Sequence, residues 1–139
     1  MILYTDTSSL IKLYLVEEGS AEMGNLVAAA TQVTTSNVAY AETRVGLARA
    51  FRDGRINGSR FQNARQKFES EWPGIGAVEL RDEILHEAGD LGDVYPIRGF
   101  DAIHLASAKQ VREQGSQEVQ FSTADRRLRD AAVAEGFSV

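Results

Sequence analysis

The sequence predicts an α/β fold of three layers, α/β/α, around a central parallel sheet of four to five strands. Three observations predict it. Short apolar, β-prone runs alternate with longer stretches whose apolar residues recur at helical spacing, the pattern of parallel strands joined by crossover helices. The 139 residues suit one domain, read as 1–139, that buries roughly two thirds of its unfolded surface. Several acidic residues fall where strands give way to helices, the edge at which open α/β sheets bind ligands.

Ile2, Leu3, Tyr4 and Thr5 form a short apolar run and read as a buried first strand. Asp6, Thr7, Ser8 and Ser9 end it and offer helix caps. Leu10, Ile11, Leu13, Tyr14 and Leu15 predict an apolar helix stopping near Gly19. Ser20 is placed to cap a second helix carrying Met23, Leu26, Val27 and Ala30. Residues 32–36 are rich in β-branched side chains and predict the second strand. Ser36 or Asn37 then caps a third helix through Tyr40, Glu42, Val45, Leu47, Ala48 and Phe51. Gly54 and Gly58 mark a turn, after which Ser59 is expected to cap a helix with Phe61, Ala64, Phe68 and Trp72 near one face.

Pro73 and Gly74 break that helix. Residues 75–80 predict strand three, and 81–88 a helix ending around Gly89 to Gly92. Pro96 and Gly99 bound a loop before a helix over 100–114. Residues 119–122 predict strand four. Thr123 is expected to cap a last helix over 124–135, ended by Gly136, with a short final strand at 137–139.

Composition narrows the function classes. The absence of cysteine excludes disulfides, thiolate nucleophiles and zinc–thiolate sites. No apolar run approaches the ~20 residues of a membrane span, and the first residues lack a signal peptide's basic region. A cytoplasmic protein is the expectation. Gly74, Ile75 and Gly76 lack the third glycine of a dinucleotide loop, because position 79 is Glu79. There is no P-loop and no G-x-S-x-G elbow. Ser8 stands where an aspartyl phosphatase of the haloacid-dehalogenase type needs a second aspartate.

The net charge of −5 hides an asymmetry. Residues 44–67 carry Arg44, Arg49, Arg52, Arg55, Arg60, Arg65 and Lys67 against one acid, Asp53. The rest of the chain is strongly acidic.

Four acids are the candidate chemistry. Asp6 ends strand one, Glu42 lies in the second turn of the helix after strand two, and Asp101 and Asp125 open helices. Singly, Asp6 is explained as an N-cap, and Asp101 and Asp125 by the helix dipole, worth ~0.3–1 kcal/mol. Together in one cleft they repel one another unless a cation neutralises them. An oxygen-only donor set favours Mg²⁺ or Mn²⁺, and the chemistry that follows is metal-assisted phosphodiester hydrolysis.

At these residues the chain resembles the PIN domain, and within it the VapC-type ribonuclease toxins of toxin–antitoxin pairs. Residues 2–14 resemble the family's first motif, Ala39–Tyr40–Ala41–Glu42 its second, residues 100–106 its third, and residues 121–125 its fourth. The resemblance implies an Mg²⁺- or Mn²⁺-dependent endoribonuclease with Asp6, Glu42, Asp101 and Asp125 at the metal site. It implies supporting hydroxyls from Thr7 or Ser8 and from Thr123. It also implies a homodimer neutralised by a VapB-type antitoxin.

Arg44, Arg49 and Arg52 are placed to grip RNA phosphates beside the acidic pocket. They serve equally well as a solvated helix face, or as a dock for an acidic antitoxin segment. His104, three residues after Asp101, is read as a hydrogen-bonded structural histidine, with a metal or general-base role as the sharper reading. The alternative to the enzyme is a non-catalytic RNA- or protein-binding PIN-like module, which needs no metal.

Overall fold

A computed structural model describes all residues, 1–139. The strands are β1 (Ile2–Thr5), β2 (Gln32–Ser36), β3 (Gly76–Val78) and β4 (Val119–Ser122). The helices are α1 (Thr7–Leu10), α2 (Ser20–Ala29), α3 (Val38–Arg52), α4 (Gly58–Glu71), α5 (Asp82–Val94), α6 (Gly99–Gln114) and α7 (Arg126–Ala134). All strand pairs are parallel, in the order β3-β2-β1-β4. Residues 137–139 add only a single bridge, Gln120 to Ser138, rather than a strand.

Every residue of β1 is buried, as expected of a central strand covered on both faces. One core cluster joins Ile2 and Tyr4 of β1 to Leu105 of α6, Phe121 of β4, Leu128 of α7, and Ile84, Ala88 and Leu91 of α5. A second lies among the first helical turns, α3 and α4, around Leu10, Leu47, Ala64 and Phe68. Phe68 is fully buried and meets Tyr14, Tyr40 and Trp72 at ring-centroid distances of 5.2, 5.7 and 5.5 Å. These aromatic edges fasten the α3–α4 pair to the segment after β1.

Several local expectations are corrected. The apolar stretch 10–15 does not make a full helix. Asp6 caps the one-turn α1, which passes into a 3-10 turn over Ile11–Leu13. Asn57, not Ser59, caps α4 through its side-chain oxygen, 2.8 Å from the Arg60 N–H. Asp125, not Thr123, caps α7 by accepting from the Leu128 N–H at 2.9 Å. Helix α5 runs through Gly89 and Gly92 to Val94. Neither glycine faces a packed neighbour, and Ile84, Ala88 and Leu91 keep an apolar stripe against the core. Strand β3 is limited to three residues.

The strand order places a topological switch beside β1. From β1 the chain moves outward through β2 and β3, then returns to pair β4 with the opposite edge of β1. Connections leaving β1 and β4 therefore diverge, and a crevice opens beyond their carboxyl ends.

Candidate active site

Asp6 follows β1 at that crevice and is almost completely buried, at 3% exposure. Burial alone would leave a charged carboxylate unsatisfied. The surrounding sequence answers with hydrogen-bond donors. Oδ1 accepts from the Ser9 N–H at 3.0 Å and the Ser8 hydroxyl at 2.7 Å, and Oδ2 accepts from the Thr123 hydroxyl at 2.5 Å. Ser8 Oγ also accepts from the Ala124 N–H at 2.9 Å. The loop after β4 is thus stitched to the loop after β1. Burial pushes the Asp6 carboxyl up from its ordinary value, although these donors and nearby His104 pull the other way.

Glu42 stands in the second turn of α3 and is partly exposed. Its Oε1 accepts from the Thr7 hydroxyl at 2.6 Å and lies 3.0 Å from His104 Nε2. Burial alone would raise this carboxyl, but the bonds from His104 and Thr7 outweigh it and hold the group below its ordinary value. Asp101 sits in the first turn of α6. Its carboxyl is pushed up by burial first, then by the negative charges of Asp125 and Asp6, against a smaller opposing effect of Arg98. Asp101 thus feels the charges of both Asp125 and Asp6, and His104, on the same helix as Asp101, is bonded to Glu42.

Asp101 and Asp125 share a cleft of about 240 Å³ with Arg98, Arg126 and Arg127. These three arginines are exposed and form no salt bridge. Asp125 and Arg126 also border a larger cavity of about 500 Å³, with Ser9, Lys12, Met23 and Thr123. The basic segment 44–67 stands differently. The Arg44 guanidinium is bonded to Glu69 and Tyr40, which neutralises it locally, whereas Arg49 and Arg52 are exposed without an acidic partner. Sequence reasoning missed the cleft arginines because they lie outside the basic run. The adjacency of Arg126 and Arg127 to Asp125 was the available signal.

The donor set is carboxylate and hydroxyl oxygen plus one buried imidazole, which suits a hard divalent cation. No three Asp, Glu or His side chains form a ready-made coordination shell. Such a set fits an ion held by one or two carboxylates with the remainder of its shell as water. The mutual repulsion at Asp101 is what a bound cation would relieve.

The PIN domain family model matches residues 3–134. The chain is 34% identical over 138 residues to ribonuclease VapC45 of Mycobacterium tuberculosis (strain CDC 1551 / Oshkosh), covering 99% of this chain and 94% of the relative. Ribonuclease VapC49 of Mycobacterium tuberculosis (strain ATCC 25618 / H37Rv) matches equally. Among solved structures, FitAcB from Neisseria gonorrhoeae superposes with a TM-score of 0.70 at 17% identity, covering 100% of this chain and 96% of that one. VapC20 of Mycobacterium tuberculosis, described as a sarcin–ricin loop cleaving toxin, superposes with a TM-score of 0.64 at 21% identity, covering 97% and 95%. These superpositions concern the fold.

Proposed function

We propose, from the premise that this chain belongs to the PIN-domain family and to its VapC-type ribonucleases, that it is an endoribonuclease toxin dependent on Mg²⁺ or Mn²⁺. The observation that carries the reading is geometric: Asp101 and Asp125 line one cleft at the switch-point crevice with three arginines that form no salt bridge, and Thr123, two residues before Asp125, is bonded to buried Asp6.

Asp6, Glu42, Asp101 and Asp125 would hold the cation, some directly and some through water. A divalent ion held there would lower the pKa of water and offset charge building on the phosphoryl oxygens. The chain's own residues do the rest. Ser8, Ser9 and Thr123 keep Asp6 in one orientation. Glu42 Oε2, which has no hydrogen bond within the protein, is available to orient water. Arg98, Arg126 and Arg127 receive the phosphates beside the scissile bond, and Arg49 and Arg52 meet the strand farther out. In-line attack by water on phosphorus forms one P–O bond as the bond to the 3′-oxygen breaks; the water gives up a proton and the departing 3′-oxygen takes one from solvent, leaving 5′-phosphate and 3′-hydroxyl ends.

A VapB-type antitoxin neutralises the enzyme, and the chain acts as a cytoplasmic homodimer. The antitoxin assignment draws support from the fold shared with a chain of a Klebsiella pneumoniae toxin–antitoxin complex, at a TM-score of 0.65 and 20% identity. No helix is long and apolar enough to cross a membrane.

The test is induced expression of the chain alone, with cellular RNA ends mapped, beside the Asp6→Asn and Asp101→Asn variants. Growth arrest with RNA cleavage in the wild type only is the expected result. Full metal-dependent cleavage in both variants would overturn the site. A wild type that binds RNA or a partner without cutting would favour the non-catalytic module.

A further inference from the structure

Tyr4 lies in the middle of the central strand and is fully buried. Its ring stacks on Phe121 of β4, with centroids 5.3 Å apart and planes 16° apart. That contact would be equally available to phenylalanine. The hydroxyl is what needs explaining, because burying one without a partner is unfavourable. It lies 3.0 Å from Nδ1 of His104. His104 is itself 2% exposed, one turn after Asp101 on α6, and its other nitrogen lies 3.0 Å from Glu42 Oε1 on α3.

With Glu42 as a carboxylate and a neutral imidazole, the hydrogen-bond inventory gives this chain of contacts one direction. A carboxylate can only accept, so Nε2 carries the hydrogen. In the neutral ring Nδ1 is then the acceptor, and the Tyr4 hydroxyl is the donor that selects this tautomer. Burial holds the Tyr4 hydroxyl well above its ordinary range, so it keeps the proton it donates.

Glu42 Oε1 takes the bond from Thr7 at 2.6 Å as well as that from His104. Two donors on one oxygen stop the carboxylate from rotating and leave Oε2 without a protein partner. We propose that Tyr4 and His104 are positioning residues for Glu42: the core tyrosine sets the histidine tautomer, and the histidine presents Glu42 Oε2 to the cation. His104 shares α6 with Asp101, so the same bond also fixes Glu42 on α3 relative to Asp101. The role of the cation rests on the function proposed above. The tautomer rests only on the contacts.

The experiment titrates the full chain with Mn²⁺ alone by calorimetry, for wild type, Tyr4→Phe, His104→Leu and His104→Gln. In parallel, the ring nitrogens of His104 are observed by ¹H–¹⁵N NMR. The chain has only two histidines, so His86→Gln assigns the signals. Outer-shell partners of metal ligands typically contribute about 10–100-fold in affinity. His104→Leu should therefore weaken Mn²⁺ binding at least about tenfold, and Tyr4→Phe severalfold, with Tyr4→Phe still folded. His104→Gln, whose amide can still donate, should recover most of the affinity. The wild-type spectrum should show hydrogen on Nε2 and none on Nδ1, and Tyr4→Phe should lose that preference.

Wild-type affinity in both His104→Leu and Tyr4→Phe would overturn the proposal, as would hydrogen on Nδ1. If His104→Leu fails to fold, Tyr4→Phe and His104→Gln decide. A wild type that takes up no Mn²⁺ would defeat the metal reading, and the spectra of wild type and Tyr4→Phe would then decide the relay by themselves.

Discussion

The Thr123 hydroxyl donates to Asp6 Oδ2 across 2.5 Å, joining residues 117 positions apart in sequence. The bond ties the end of β4 to the end of β1 and supplies one of three donors to a buried carboxylate. Removing a donor from a buried charged acceptor costs about 1–3 kcal/mol. Thr123→Ala should lower the urea unfolding midpoint accordingly and reduce RNA cleavage about tenfold or more, the scale of outer-shell changes. Thr123→Ser keeps the hydroxyl and should restore both. Equal losses in the two variants would show that the methyl group, not the hydroxyl, matters.

Asp101 should trade stability for function. Burial and the charges of Asp125 and Asp6 outweigh its favourable place in the first turn of α6 and raise its carboxyl above the ordinary value. The native chain therefore binds this proton more tightly than the unfolded chain. Stability falls as pH rises from the ordinary carboxylate value through the raised one, and stays lower above that window. Without divalent cation at neutral pH, Asp101→Asn should melt a few degrees above wild type, and the difference should shrink on acidification. Added Mn²⁺ should raise the wild-type melting point and leave that of the variant unchanged.

The two sets of arginines should differ in their effect on RNA binding. Arg126→Ala and Arg127→Ala each remove an unpaired cation from the cleft of Asp101 and Asp125. Each should weaken RNA binding and reduce the dependence of log affinity on log salt by about 1, the signature of one lost phosphate contact. Arg44→Ala should change that slope less, because Glu69 and Tyr40 already engage its guanidinium. Filter binding over a salt series measures all three.

Phe68→Ala tests the packing beneath the α3–α4 pair. The ring is fully buried among Tyr14, Tyr40 and Trp72. Its loss should cost about 3–5 kcal/mol in equilibrium unfolding, the range for buried aromatic truncations. A cost below about 1 kcal/mol would mean the cluster closes over the gap.

Much of this was legible in the sequence, and the exceptions have physical causes. The strands were readable because β-branched and apolar residues crowd into short runs with caps or turns after them. The neighbourhood of Asp6 and Asp125 was readable because a parallel sheet brings the residues after its strands to one edge. The short α1 was not. Leu10 through Leu15 is apolar enough for a longer helix, but tertiary packing holds Ile11–Leu13 in a 3-10 turn. Gly89 and Gly92 misled for the opposite reason, since glycine weakens a helix without ending it when neighbouring turns pack well. Tyr4 looked like core and is core. Only in the fold does its hydroxyl meet a histidine 100 residues away. Asp6 was rightly explicable as an N-cap, whereas Asp125, read as a first-turn residue behind a Thr123 cap, is itself the cap of α7.

The stitch between the first and last strands also has a consequence in time. During synthesis Asp6 and Glu42 emerge well before Asp101 and Thr123. Until Thr123 has been made and β4 has docked beside β1, the buried carboxylate of Asp6 lacks one of the three donors that orient it.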